Sequence, residues 1–168
     1  MTIVYTSKTG FTREYAQMLG RAAGLPVCDL DEATGKVGPG SDILYLGWLM
    51  AGHISGIDHA VKRFHVRAAC GVGMTPPGDK VLQDLARSNY VSNAPIFYLQ
   101  GGWAPKKVGW LQRRMVGMAT RGLRQSLQQK RERTPQEQRQ LDLLLRGGSC
   151  VAFRNLTPLL EWLKKQEG

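Results

Sequence analysis

The stretch Thr6-Ser7-Lys8-Thr9-Gly10-Phe11-Thr12 follows directly on the β-rich run Thr2 to Tyr5 and holds three threonines, a serine, a lysine and a glycine. This composition, at the point where a strand must turn into a helix, suits the capture of an anion. The first amides of a helix have no intrahelical acceptor and lie at the positive end of its dipole. Ser7, Thr9 and Thr12 offer hydroxyl donors that leave room for a dianion, and Gly10 lets the backbone come close. Neither the GKS or GKT triplet of a nucleoside-triphosphate loop nor a GxGxxG is present there. The expected chemistry is therefore the binding of some other phosphate ester.

The elements around this turn alternate. Thr2 to Tyr5 reads as a strand, and a helix with Tyr15, Ala16, Met18, Leu19 and Ala22 on one side runs from Thr12 to Gly24. Val27 to Leu30 predicts a second strand, 35–41 a loop, and Ile43 to Gly47 a third strand. Ser55-Gly56-Ile57-Asp58 resembles a capping box opening a helix to about Val66. Strands at Ala68 to Met74 and Pro95 to Leu99 flank a helix from Asp79 to Asn89. Such alternation predicts a doubly wound, five-stranded parallel sheet with helices on both faces. In such a sheet, ligands sit beyond the carboxyl ends of the strands at the switch point.

After the fifth strand the pattern becomes helical. One helix is expected from Val108 to about Gln129, with Leu111, Met115, Met118, Ala119 and Leu123 on one side and Arg113, Arg114, Arg121 and Arg124 on the other. Thr134-Pro135-Gln136-Glu137 has the form of an N-cap, N1 proline and N3 glutamate, and opens a helix to Leu145. Cys150 to Phe153 suggests a strand remnant, and Thr157-Pro158 begins the last helix. The chain thus reads as one domain over 1–168, with a helical insertion at about 106–148.

Charge is concentrated in that insertion. Between Lys106 and Arg146, eleven basic residues face three acidic ones, so the segment carries +8 of the net +10. An anionic partner is expected there. The three cysteines, Cys28, Cys70 and Cys150, form no CxxC and no metal-like spacing, which points to packing thiols in a reducing compartment and no metal site. No stretch reads as a membrane span or as a secretory leader. The expected localisation is cytoplasmic.

Ser7-Lys8-Thr9-Gly10-Phe11-Thr12 resembles the [ST]-x-T-G-x-T phosphate loop of flavodoxins. The resemblance implies a flavodoxin-like fold and FMN as cofactor, its phosphate on this loop. It also implies that the flavin ring is held by the loops after strands three and five. These read Trp48-Leu49-Met50-Ala51-Gly52-His53-Ile54 and Gly101-Gly102-Trp103-Ala104-Pro105. Each holds a tryptophan on which a flat ring can stack. Gly47, Gly52, Gly101 and Gly102 are expected to leave room for backbone amides to approach the ring. His53 is the candidate for moving a proton or donating a hydrogen bond. His59 and His65 read as structural or exposed.

Three features look closer to the flavodoxin-type, quinone-linked protoporphyrinogen oxidases of bacteria. They are Gly47 followed by Gly52-His53, the Gly101-Gly102-x-x-Pro105 turn followed by Lys106-Lys107 and Trp110, and the basic, Met-containing helix from Trp110 to Met118. This resemblance implies an FMN-dependent oxidoreductase with a quinone or other acceptor and an anionic porphyrinogen as donor. A flavodoxin-type electron carrier is the alternative; carriers are usually acidic, whereas this chain is basic. The basic segment also suits an anionic membrane surface, which would make the protein peripheral on the inner face. Nucleic acid would explain the charge but not the phosphate loop or the paired tryptophans.

Overall fold

Ile3-Val4, Ile43-Leu44-Tyr45-Leu46 and Ala68-Ala69-Cys70 carry no polar interruption, and in the computed structural model, which describes residues 1–91 and 93–166, every one of them is fully buried. Strands covered on both faces read in this way. They lie in β1 (Thr2–Thr6), β3 (Asp42–Met50) and β5 (His65–Gly73), joined by the outer strands β2 (Val27–Asp29) and β6 (Ile96–Gln100). The order is β2-β1-β3-β5-β6, all parallel. Numbered as main strands alone this is 2-1-3-4-5, the flavodoxin-like doubly wound arrangement, with its switch point between β1 and β3.

Alternate side chains of these strands feed two cores. Ile3, Leu44, Leu46, Ala68, Cys70 and Leu99 meet Tyr15, Ala16 and Leu19 of α1 (Phe11–Ala23) and Leu159 and Leu163 of α8 (Thr157–Gln166). On the opposite face, Val4, Ile43, Tyr45, Val66 and Ala69 meet Ala33 of α2 (Leu30–Lys36), Ile57 and Ala60 of α3 (Ile57–Arg63) and Leu85 of α4 (Asp79–Ser88). Each fully buried aliphatic side chain contributes about 1.5–3 kcal/mol. The central strands therefore hold the carboxyl-end loops on a rigid base.

Several local expectations are corrected. Leu30, expected in the second strand, begins α2, which also takes Gly35 and Lys36 from the expected loop; Asp29 caps it, its Oδ1 accepting from the Glu32 amide at 2.9 Å. Ser55 does not cap α3; Gly56 occupies that position with no side-chain cap, and the helix stops at Arg63, leaving Val66 to β5. β3 runs on to Met50 and folds back through a tight hairpin into β4 (His53–Ile54), with Leu49 opposite Ile54 and Met50 opposite His53. Trp48, Leu49 and Met50 are thus strand residues, and only Ala51 and Gly52 turn.

The helical insertion is broken where one helix was expected. α5 (Trp110–Ala119) and α6 (Arg121–Gln129) meet at Thr120, whose hydroxyl donates to the Val116 carbonyl at 2.7 Å. The capping box at Thr134 and Glu137 is present and opens α7 (Pro135–Arg146). Cys150 to Phe153 is no strand. Instead Gly148–Ser149 (β8) pairs antiparallel with Gly102–Trp103 (β7), tying the end of the insertion to the loop after β6. Among the described residues no helix is long and apolar enough to cross a membrane.

Candidate functional site

Three adjoining cavities line the carboxyl ends of the central strands. The first, of about 560 Å³, is polar and is formed by Thr6 to Gly10 with Arg13, Asp29, Asp31, His59 and Lys107. Its floor is fixed from below. Thr6 Oγ1 lies 2.7 Å from the Tyr45 hydroxyl, which donates to the Ser55 carbonyl at 2.8 Å, so the Thr6 hydroxyl donates to Tyr45. Burial pushes the Tyr45 phenol up to about 12 despite that bond, and it stays protonated.

The loop itself is shaped by Gly10, which has φ +104° and therefore a backbone conformation that side-chain-bearing residues rarely adopt. Its amide donates to Ser7 Oγ at 3.2 Å. No side chain caps α1, so amides of its first turn stay available to an incoming anion. Lys107 reaches across from the segment after β7 and donates to the Thr9 carbonyl at 3.2 Å. With Lys8 and Arg13 it sets three cations around this helix end. The sequence placed Lys107 in a basic run after the Gly101-Gly102-x-x-Pro105 turn and read His59 as structural or exposed; the sheet topology brings both to the loop.

The second cavity, about 120 Å³, is a slot. Thr9, Phe11 and Thr12 line one side, with Trp48 and Leu49, Gly102 and Trp103, and Gln112 and Val116 of α5 around it. The two tryptophan loops expected from sequence are thus brought together with the phosphate loop. Thr12 is almost wholly buried, at 1% exposure, and faces this slot rather than the outer cavity. The Lys8 ammonium sits 5.2 Å from the centre of the Trp48 ring, a cation–π contact. Gly102 is needed for packing: a Cβ there would fall 2.3 Å from the Gly148 carbonyl and 2.8 Å from the Phe11 ring. Gly101 and Gly47 are similarly filled by Val72 and Ile54. Their missing side chains admit the protein's own atoms.

The third cavity, about 790 Å³, is mostly apolar and shares Lys8, Trp48, Leu49, Gly73, Met74, Gln112 and Val116 with the slot. The β3–β4 hairpin with Met50, Ala51 and Gly52 forms one wall, α4 another, and Leu111 and Met115 of α5 a third. Tyr98 closes its base, donating to the Thr75 carbonyl at 2.5 Å, and burial raises its phenol. Sequence reasoning missed Met74, Tyr98 and Gln112, which no local motif marks. His53 lines none of the three cavities. Its Nε2 lies 3.0 Å from Asp58 and its Nδ1 3.5 Å from the Ser88 carbonyl, which ties it to α3 and the end of α4.

The residues present fit an aromatic phosphate ester such as FMN. The donor set at α1 suits a dianion, the slot has aromatic walls, and the buried carboxamide oxygen of Gln112 has no partner within the protein. Comparison with protein-family models, with curated proteins and with solved structures returns no match.

Proposed function

We propose that this chain is an FMN-binding oxidoreductase of the flavodoxin-like fold that moves two electrons and two protons from an organic donor to a quinone or similar acceptor. The observation that carries this reading is continuity: an uncapped, cation-flanked helix terminus, a tryptophan-walled slot and a large apolar cavity lie in one row and share residues. FMN, when bound, supplies both one- and two-electron transfer. The chain's own groups supply position. The α1 amides, Lys8, Arg13 and Lys107 hold the phosphate. Phe11, Trp48 and Trp103 exclude water from the ring. Lys8, which borders all three cavities, places a positive charge beside the ring slot.

The third cavity favours an enzyme over a carrier, because a carrier needs an exposed ring edge and no room for a second molecule. A cavity of that size and lining takes a sizeable apolar ligand. A porphyrinogen is such a ligand, and its propionates complement Lys8 and Lys80 on the cavity wall. Helix α5 exposes Trp110, Leu111, Met115 and Met118, which supports a peripheral contact with an anionic membrane.

Titration of the protein with FMN followed by anaerobic addition of porphyrinogen tests the reading. The expected result is stoichiometric binding, bleaching of the flavin band, and its return on adding a soluble naphthoquinone. Protein that binds no FMN overturns the flavin reading. Bound flavin that a partner reductase reduces but no small molecule does would establish the carrier instead.

A further inference from the structure

Among the described residues, Lys8 is the one charged side chain that borders the tryptophan slot; the other walls are apolar or carry neutral hydroxyl and carboxamide groups. Lys8 belongs to the phosphate loop, yet its ammonium lies 5.2 Å from the centre of the Trp48 ring. Trp48 borders the slot and the apolar cavity and does not border the phosphate cavity. The charged end of Lys8 thus lies on the ring side of the loop. Arg13 and Lys107 border the phosphate cavity alone and remain there for the phosphate. Among the described residues no carboxylate forms an ion pair with Lys8. Asp84, the acid on the wall of the apolar cavity, is paired with Lys80 at 2.8 Å. An uncompensated cation therefore stands where the slot and the apolar cavity join.

We propose that Lys8 sets the redox potential of the ring. Its ammonium stabilises the negative charge that a flavin gains on taking two electrons with one proton, the donor's second proton passing to water. This rests on the flavin reading above. Attraction for the phosphate has no such effect, because the phosphate keeps its charge in both redox states; only a charge near the ring tells them apart. The effect does not require one particular pose. Lys8 borders both the slot and the apolar cavity, so its charge stays close to a ring lying in either, and Coulomb attraction falls only as the inverse of distance. Lys8 is exposed, so water and salt screen it, and the expected preference for the reduced form is about tenfold.

The experiment measures the two-electron midpoint potential of bound FMN, and the affinity for oxidised FMN, in wild-type protein, Lys8→Met, Lys8→Arg and Lys107→Met. It is run without organic donor, in mildly alkaline buffer where free reduced flavin is anionic. Lys8→Met is expected to lower the preference for reduced over oxidised FMN about tenfold, a fall in potential of about 30 mV. The fall shrinks as salt rises. Lys8→Arg keeps the charge and stays near wild type. Lys107→Met, on the phosphate side, weakens both redox forms alike and leaves the potential in place. An unchanged potential in Lys8→Met, whatever its FMN affinity, makes Lys8 a phosphate or packing residue and overturns the proposal. A fall of the same size in Lys8→Arg or in Lys107→Met also overturns it. Wild-type protein that takes up no FMN refutes the underlying flavin reading, whereas FMN bound at one potential by wild type and Lys8→Met refutes only the part given to Lys8.

Discussion

The β1–α1 loop and the helix α5 line the same slot from different directions, and they are built in contrasting ways. The loop is short, rests on a buried core and is pinned by the Thr6–Tyr45–Ser55 chain of hydrogen bonds. Helix α5 has no buried residue at all; Trp110, Leu111, Met115 and Met118 are each more than half exposed. A site assembled from one rigid and one lightly packed wall can hold a phosphate firmly while a second molecule enters beside α5. The contrast also separates two kinds of energy. On the proposed reading, hydrogen bonds to a charged group would dominate on the loop side, and apolar contact and long-range charge on the α5 side.

The largest expected effect breaks the loop side alone. Thr9→Val with Thr12→Val removes two hydroxyls, and a hydrogen bond to a charged group contributes about 1.5–3 kcal/mol. FMN affinity is expected to fall at least about tenfold, and riboflavin, which lacks the phosphate, is expected to lose much less. Calorimetric titration of both ligands checks this, and equal losses for the two would place the phosphate elsewhere. The structure sharpens the prediction by putting Thr12 on the slot side of the loop. Thr9→Val alone should then account for the larger share.

Much of the loop side was legible because its signals are local. Ser7 to Thr12 announce a helix terminus within six residues, and the unbroken apolar strands announce a sheet covered on both faces. α2 was missed because Thr34 and Gly35 argue against a helix, although Asp29 three residues before Glu32 is a capping signal. The other wall was less legible for a physical reason. A helical period shows that Leu111, Met115 and Met118 share a side but not which side meets the protein body. Lys107, His59 and Gln112 join the site only through topology. Trp48 was found, but its place in a strand was not, because Gly47 looked like an end, whereas it admits Ile54 as the hairpin folds back.

A smaller effect tests the base under the loop. The Tyr45 phenol is raised by burial to about 12, above its unfolded value of about 10. The folded state thus holds the proton more tightly. Its contribution is present in full below about pH 10 and is lost as pH rises through about 12, a decline of about 3 kcal/mol from this group. Tyr98, raised in the same direction, adds to it. Urea denaturation followed from pH 8 to pH 12 should show this decline, and Tyr45→Phe with Tyr98→Phe should flatten it at the cost of lower stability at neutral pH. An unchanged alkaline slope in the double variant would mean that other groups set it.

The smallest effect addresses α5, where charge and apolar exposure can be separated. Each basic residue near an anionic surface contributes about 1 kcal/mol. Arg113→Gln with Arg114→Gln should then weaken partitioning onto vesicles containing anionic lipid about thirtyfold at low salt. The difference should shrink as salt shortens the Debye length toward about 3 Å. Leu111→Ser with Met115→Ser removes apolar contact instead, so its loss should persist at all salt concentrations. Vesicle sedimentation across a salt series distinguishes the two variants. If neither alters binding, or if the native protein ignores anionic vesicles, the exposed side of α5 serves the apolar cavity alone. The basic segment would then act on an anionic ligand rather than on a membrane.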